Sequence, residues 1–226
     1  MIDLTIRRNR PIFPLPGLLC SGLLLAACAT DIPLTPTDRL ALRHEPVIHI
    51  VHYESPLPVM KPIGKAVLPA PETVRKTTGA DPAALVATGL GRLLEKTEKL
   101  DNLRVEPMHM ARPVNRRPNE VHKHYTDGLA LELWVTQWGF EGIPGVPGQY
   151  SLRLDGNARL SNPRDGRILW TSAACRVNGV GNRSFRSTAG DLANAAKLRK
   201  LLVAARNECA RQLARDLDSD SRRQSS

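Results

Sequence analysis

The sharpest pattern in the chain lies between residues 128 and 138, where Leu129, Leu131, Leu133 and Val135 alternate with Ala130, Glu132, Trp134, Thr136 and Trp138. A period of two sends successive side chains to opposite faces, so this run predicts a strand with one aliphatic face and one aromatic and polar face. Gln149 to Ser161 alternates again, setting Tyr150, Leu152, Leu154, Ala158 and Leu160 against Ser151, Arg153, Asp155, Asn157 and Arg159. Asn162-Pro-Arg-Asp-Gly166 punctuates a turn, and Arg167 to Val177 returns as a third strand. Three consecutive antiparallel strands of this kind make a meander. The intervening Gly139 to Gly148 is rich in glycine and proline and lacks the residue order of a phosphate loop, so it predicts a connection or a partner-binding lip.

Elsewhere the spacing changes from two to three and four. Asp81-Pro82 supplies an N-cap and a first-turn proline for a helix running to about Lys99, with Leu85, Val86, Leu90, Leu93 and Leu94 as its apolar stripe. Thr188 or Ser187 starts a long terminal helix whose Leu192, Ala195, Ala196, Leu198, Leu202, Ala205, Cys209 and Leu213 share a face. Pro46 to Tyr53 and Asn102 to His109 predict two earlier strands, and Asn119 to Asp127 a short helix closed by Gly128. The predicted class is α+β: an antiparallel three-stranded meander extended by one or two earlier strands into a mixed sheet, with helices packed on it. A single domain over 46–217 follows, with a proline-rich loop at 55–80 and a polar, frayed tail at 218–226.

The amino end has a different character. Arg7, Arg8 and Arg10 precede an apolar run that ends in Leu25-Ala26-Ala27-Cys28, the order of an export signal over residues 1–27. A plain cleavable signal or an interior helix would show a similar run. Leu25-Ala26-Ala27-Cys28 resembles the bacterial lipobox. That resemblance implies that the Cys28 thiol receives diacylglycerol, that the leader is cut before it, and that the new amine is acylated. Several acyl chains give stable anchoring where one does not. Ala29 stands where an aspartate would imply retention in the inner membrane, so the resemblance implies the outer membrane, facing the periplasm. Residues 28–45, with Pro33 and Pro36 and no regular period, then predict a lipidated tether.

Composition narrows the partners. The chain carries a formal charge of +10, lowered to +8 without the leader, which holds three basic residues and one acidic one. A basic surface suits lipid headgroups, lipopolysaccharide phosphates or cell-wall carboxylates. The cations are dispersed among acidic residues with no interleaved aromatics, which argues against nucleic acid. Once Cys28 is lipidated and Cys20 discarded, Cys175 and Cys209 remain as an even pair in an oxidising compartment, which predicts a disulfide. Both fall on inward faces, one on the last strand and one on the last helix.

Candidate chemistry is sparse. There is no nucleophile elbow, zinc-protease helix, dinucleotide loop or Cys-x-x-Cys. A hidden hydrolase would draw on Glu132, Glu141 and Asp155, which are more simply strand or loop residues. His49 and His52 point to opposite faces of their strand, and His122, His124 and Asp127 make a weak metal set beside their solvated alternative. Trp134, Trp138, Tyr150 and Trp170 cluster on or beside the meander, forming either a second covered face against the 82–99 helix or an exposed recognition patch. Tyr150 to Leu160, Asp165 to Trp170 and Cys175 resemble uncharacterised Gram-negative envelope lipoproteins, and more loosely accessory lipoproteins that assemble around secretion or transport machinery. The resemblance spans residues 125–213 and implies no chemistry. The expected function is a non-catalytic, lipid-anchored module that needs no cofactor and binds an envelope protein or cell-wall component. The alternatives are a self-associating structural lipoprotein and an envelope hydrolase.

Overall fold

The computed structural model describes residues 32–64, 67–79, 81–108 and 121–223. The chain runs through α1 (Pro36–His44), β1 (Ile48–Tyr53), β2 (Val59–Lys61), α2 (Pro71–Thr78), α3 (Pro82–Glu98), β3 (Leu103–Met108) and α4 (Val121–His124). It continues through β4 (Leu129–Gly142), β5 (Gln149–Ser161), β6 (Ile168–Thr171), β7 (Cys175–Asn178), β8 (Arg186–Thr188), α5 (Ala189–Ala193) and α6 (Ala195–Arg223). One mixed sheet has the order β3-β1-β4-β5-β6, with β2 on β4 and with β7 and β8 on β5. β1 is parallel to both β3 and β4, whereas β4 and β5 form the antiparallel hairpin that the alternation predicts. The class is therefore α+β with a mixed sheet and a long carboxy-terminal helix.

Helices α3 and α6 cover one face. Asp81 accepts from the Ala83 and Ala84 N–H groups and Pro82 opens the first turn, as the sequence predicts. Val86, Leu90 and Leu94 of α3 join Leu202, Ala205, Leu213 and Leu217 of α6 in a core with Ile48, Ile50, Leu131, Leu152 and Leu160. The two helices approach closely: a Cβ on Gly89 would sit 3.4 Å from the Ala210 Cβ. A smaller cluster of Val51, Tyr53, Val121 and Ala130, flanked by Tyr125 and Trp134, occupies the opposite face.

Several boundaries differ from expectation. The tether read at 28–45 contains helix α1, started by Thr35, whose hydroxyl accepts from the Asp38 N–H, and by Pro36. Leu34 and Leu42 lie in the main core, so packing rather than a long apolar stripe holds this two-turn helix. The loop read at 55–80 contains β2 and α2, the latter ended by Gly79 at φ 67°. The expected tail at 218–226 is helical as far as Arg223. The strand read over 167–177 is broken between β6 and β7, because Ser172 bonds Ala158 with both its N–H and its hydroxyl while the Ala173 N–H turns to Asp216.

The largest departure sits inside β4. Pairing with β5 slips between Val135 and Gln137, a β-bulge that adds one residue to β4. One extra residue inverts the face of everything after it. Leu129 to Val135 therefore meet the helices through odd positions, and Trp138 and Phe140 through even ones. Beyond the bulge, Gly139 lies at φ 143°, and a Cβ there would collide with the Val59 backbone of β2. Gly139→Ala is expected to cost about 2–4 kcal/mol through strain and overlap. Urea unfolding of this variant, compared with the parent, measures that loss.

Candidate functional site

The face opposite α3 and α6 gathers the polar side chains of β1, β3, β4 and β5. Glu132 is fully buried, and both of its oxygens are engaged. Arg159 Nε donates to Oε1 at 2.9 Å and Nη2 to Oε2 at 2.7 Å, a two-point contact between adjacent strands. The Tyr53 hydroxyl donates to Oε2 at 2.7 Å from β1. The Arg159 guanidinium also lies 5.9 Å from the centre of the Trp134 ring, at the outer limit of a cation–π contact. These groups meet because Glu132 and Arg159 are directly paired across β4 and β5 and project to the same face.

Next to this network, His49 is held between two carboxylates. Its Nδ1 is 3.0 Å from Glu106 Oε1 and its Nε2 is 3.5 Å from Asp127 Oδ1. The Tyr125 ring packs against it, tilted by 40° with the ring centres 4.4 Å apart. Burial, and then the hydrogen bond to Glu106, push the Tyr125 phenol up to about 12, so it serves as a neutral donor. The segment after α4 is thereby pinned to β1 and β3 by polar contacts.

The chemistry of this face is that of a clamp. A carboxylate that accepts from a guanidinium and a phenol on both oxygens is poorly placed to take a proton from a substrate. The other two carboxylates singled out from the sequence are also in ion pairs: Glu141 with Lys61 at 2.8 Å and Asp155 with Arg153 at 2.7 Å. Among the described residues, no group of three or more His, Cys, Asp or Glu side chains is arranged to hold a metal ion. Nor is any helix among them long and apolar enough to cross a membrane.

The aromatic residues do not form one patch. Trp138, Tyr150 and Trp170 are buried in the helix-side core at 0 %, 1 % and 1 % exposure, which removes them from any recognition surface. Trp134 alone stays on the opposite face, half-buried over Arg159. Trp138 turns inward because of the bulge, and its indole N–H donates to the Pro56 carbonyl at 2.6 Å. Sequence reasoning missed both the Glu132–Arg159 pair and the cradle around His49. The polar faces of the two strands contained the first, but register is not readable from alternation.

Cys175 and Cys209 form a disulfide, with sulfurs buried between β7 and α6. Gly156 leaves room for it: a Cβ there would lie 3.2 Å from the Cys175 Sγ and 3.6 Å from the Cys209 Sγ. Cys28 lies outside the described residues.

No family model and no curated protein matches the chain. Several solved structures are similar to the chain at low identity. Lipoprotein GNA1162 from Neisseria meningitidis is 17 % identical, over 70 % of this chain and 96 % of that one, with a TM-score of 0.31. Protein XCC0632 from Xanthomonas campestris is 12 % identical over 84 % and 95 % of the two chains, with a TM-score of 0.39. PelC from Paraburkholderia phytofirmans, a dodecamer, is 14 % identical over 78 % and 94 %, with a TM-score of 0.31.

Proposed function

We propose that this chain is an exported lipoprotein, held at the outer membrane by acyl chains on Cys28, whose folded part is a non-catalytic accessory module of the cell envelope. The Cys175–Cys209 disulfide carries this reading. Such bonds persist in oxidising compartments, and the leader ending before Cys28 is an address to one. The ion-paired state of Glu132, Glu141 and Asp155 supports a binding role over an envelope hydrolase.

Self-association is the form of this reading that the sheet favours. β3 ends the strand order with no second partner strand among the described residues. The Ile48 N–H donates to the Asn102 carbonyl, so in a parallel ladder the main-chain groups of Leu103 and Val105 face outward. An edge of this kind templates pairing with another chain, and a second copy is the simplest one. An envelope protein or cell-wall component is the alternative occupant.

Palmitate labelling and membrane fractionation of the parent and a Cys28→Ala variant test the anchor. Label and membrane association are expected to vanish in the variant, and an unlabelled parent with unchanged fractionation of the variant removes the proposal. Sedimentation velocity of the Cys28→Ala chain then separates the two forms. A discrete oligomer supports self-association, and a monomer leaves only a different partner.

A further inference from the structure

The outer edge of β3 carries main-chain and side-chain groups that are complementary to themselves. In the parallel ladder with β1 the even residues of β3 turn their main-chain groups inward, which leaves Leu103, Val105 and Pro107 with theirs outward. Proline has no N–H to give, so at an outward position it leaves the β1 ladder intact. Val105 lies on the helix side, where a Cβ on Gly91 of α3 would sit 3.5 Å from its Cγ2, yet 43 % of it is exposed. The helix-side core thus ends at this edge in an uncovered valine.

Opposite charges occupy the other face. Arg104 and Glu106 project there, since they stand in register with His49 and Val51 of β1. Arg104 is exposed and makes no ion pair among the described residues. Glu106 holds His49 through Oε1, and its side chain is still 35 % exposed.

We propose that β3 pairs with β3 of a second copy of this chain, antiparallel, about a two-fold axis that passes through Val105 perpendicular to the sheet. This rests on the self-association reading above and adds a register and a symmetry to it. With the axis there, Val105 exchanges both main-chain bonds with Val105 of the second copy, and the Leu103 N–H donates to the Pro107 carbonyl of the second copy. The two sheets become one, and the exposed valines cover each other on the helix side. On the polar face Arg104 stands opposite Glu106 of the second copy, and the symmetry repeats the pair. Outward main-chain groups also meet when the axis passes through Arg104 or Glu106, but those registers set two arginines or two glutamates directly opposite, which is destabilising. Charge therefore selects the register, while the main-chain bonds and the valines supply the attraction.

Sedimentation velocity of the full chain carrying Cys28→Ala, over a concentration series, is compared with the same chain carrying Arg104→Glu or Glu106→Arg as well. Either change sets like charges opposite at both symmetry-related positions and should weaken the dimer at least about tenfold. An equimolar mixture of the two variants restores opposite charges at both positions, so a mixed dimer close to the parent in stability is expected. In the parent, hydrogen exchange at the Leu103 and Val105 amides should slow as concentration rises, while the Arg104 amide, bonded to β1, stays unchanged. The exchange result decides by itself if Glu106→Arg, which also removes the His49 contact, does not fold. An oligomer that persists in either variant, that folded variants fail to restore on mixing, or whose Leu103 and Val105 amides exchange independently of concentration overturns this pairing and leaves self-association through another surface. A parent that stays monomeric overturns the self-association reading and this pairing with it.

Discussion

Replacing Cys175 and Cys209 together by alanine is expected to lower stability by about 3–4 kcal/mol and the melting temperature by roughly 10 °C. The two cysteines are 34 residues apart, so the bond closes a long loop that the unfolded chain would otherwise explore freely. That loop contains β8, α5 and the first half of α6, which join the sheet only through short pairings. β8 contributes three residues against β5. The bond therefore holds the amino-terminal half of α6 against β7, while Leu213 and Leu217 keep its other half packed without covalent help. Thermal unfolding followed by circular dichroism measures the total loss. Hydrogen exchange should localise it, with faster exchange in Leu198 to Leu202 than in Leu213 to Leu217. A variant melting within about 2 °C of the parent would mean that the unfolded state is little restricted by the bond.

The same pair illustrates what the sequence discloses. Two periodicities, one of two residues and one near 3.6, independently aimed Cys175 and Cys209 inward, and the strand–helix contact follows once both faces are buried. Regular elements with a long apolar stripe, such as α3 and α6, were legible for the same reason. α1 was not, because it makes only two turns and depends on Leu42 reaching a core assembled from distant residues. The bulge in β4 left a trace in the order of residues. Apolar positions run odd from Leu129 to Val135 and even from Trp138 to Phe140, with the polar doublet Thr136-Gln137 between them. Continuing a strict period of two across that doublet sets Trp138 on the wrong face, beside Trp134. The apolar positions of β5 keep one parity throughout, since the extra residue is on β4 alone.

Glu132→Ala should be the most damaging single substitution on the polar face, costing about 3–5 kcal/mol. The carboxylate is fully buried and Arg159 is 4 % exposed, so removing the acid leaves a guanidinium in the sheet without the group that offsets its charge. The Tyr53 hydroxyl loses its acceptor in the same step. Coulomb attraction is strong in this setting, but both ions were also taken from water, and the two terms largely cancel when the pair is intact. The pair is thus expected to matter more for register than for net stability: its two parallel hydrogen bonds are satisfied only when Glu132 lies opposite Arg159, fixing β4 on β5 ahead of the bulge. It follows that Glu132→Leu combined with Arg159→Met should recover most of the loss, to within about 1–2 kcal/mol of the parent, because apolar side chains of similar volume need no partner. A double-mutant cycle by urea unfolding supplies the coupling energy. The indole N–H resonance of Trp134, whose ring centre lies 5.9 Å from the Arg159 guanidinium, reports by NMR whether the hairpin keeps its alignment. If the double variant is as unstable as Glu132→Ala, the charge pair is a source of net stability, and the clamp on this face contributes directly to holding the sheet together.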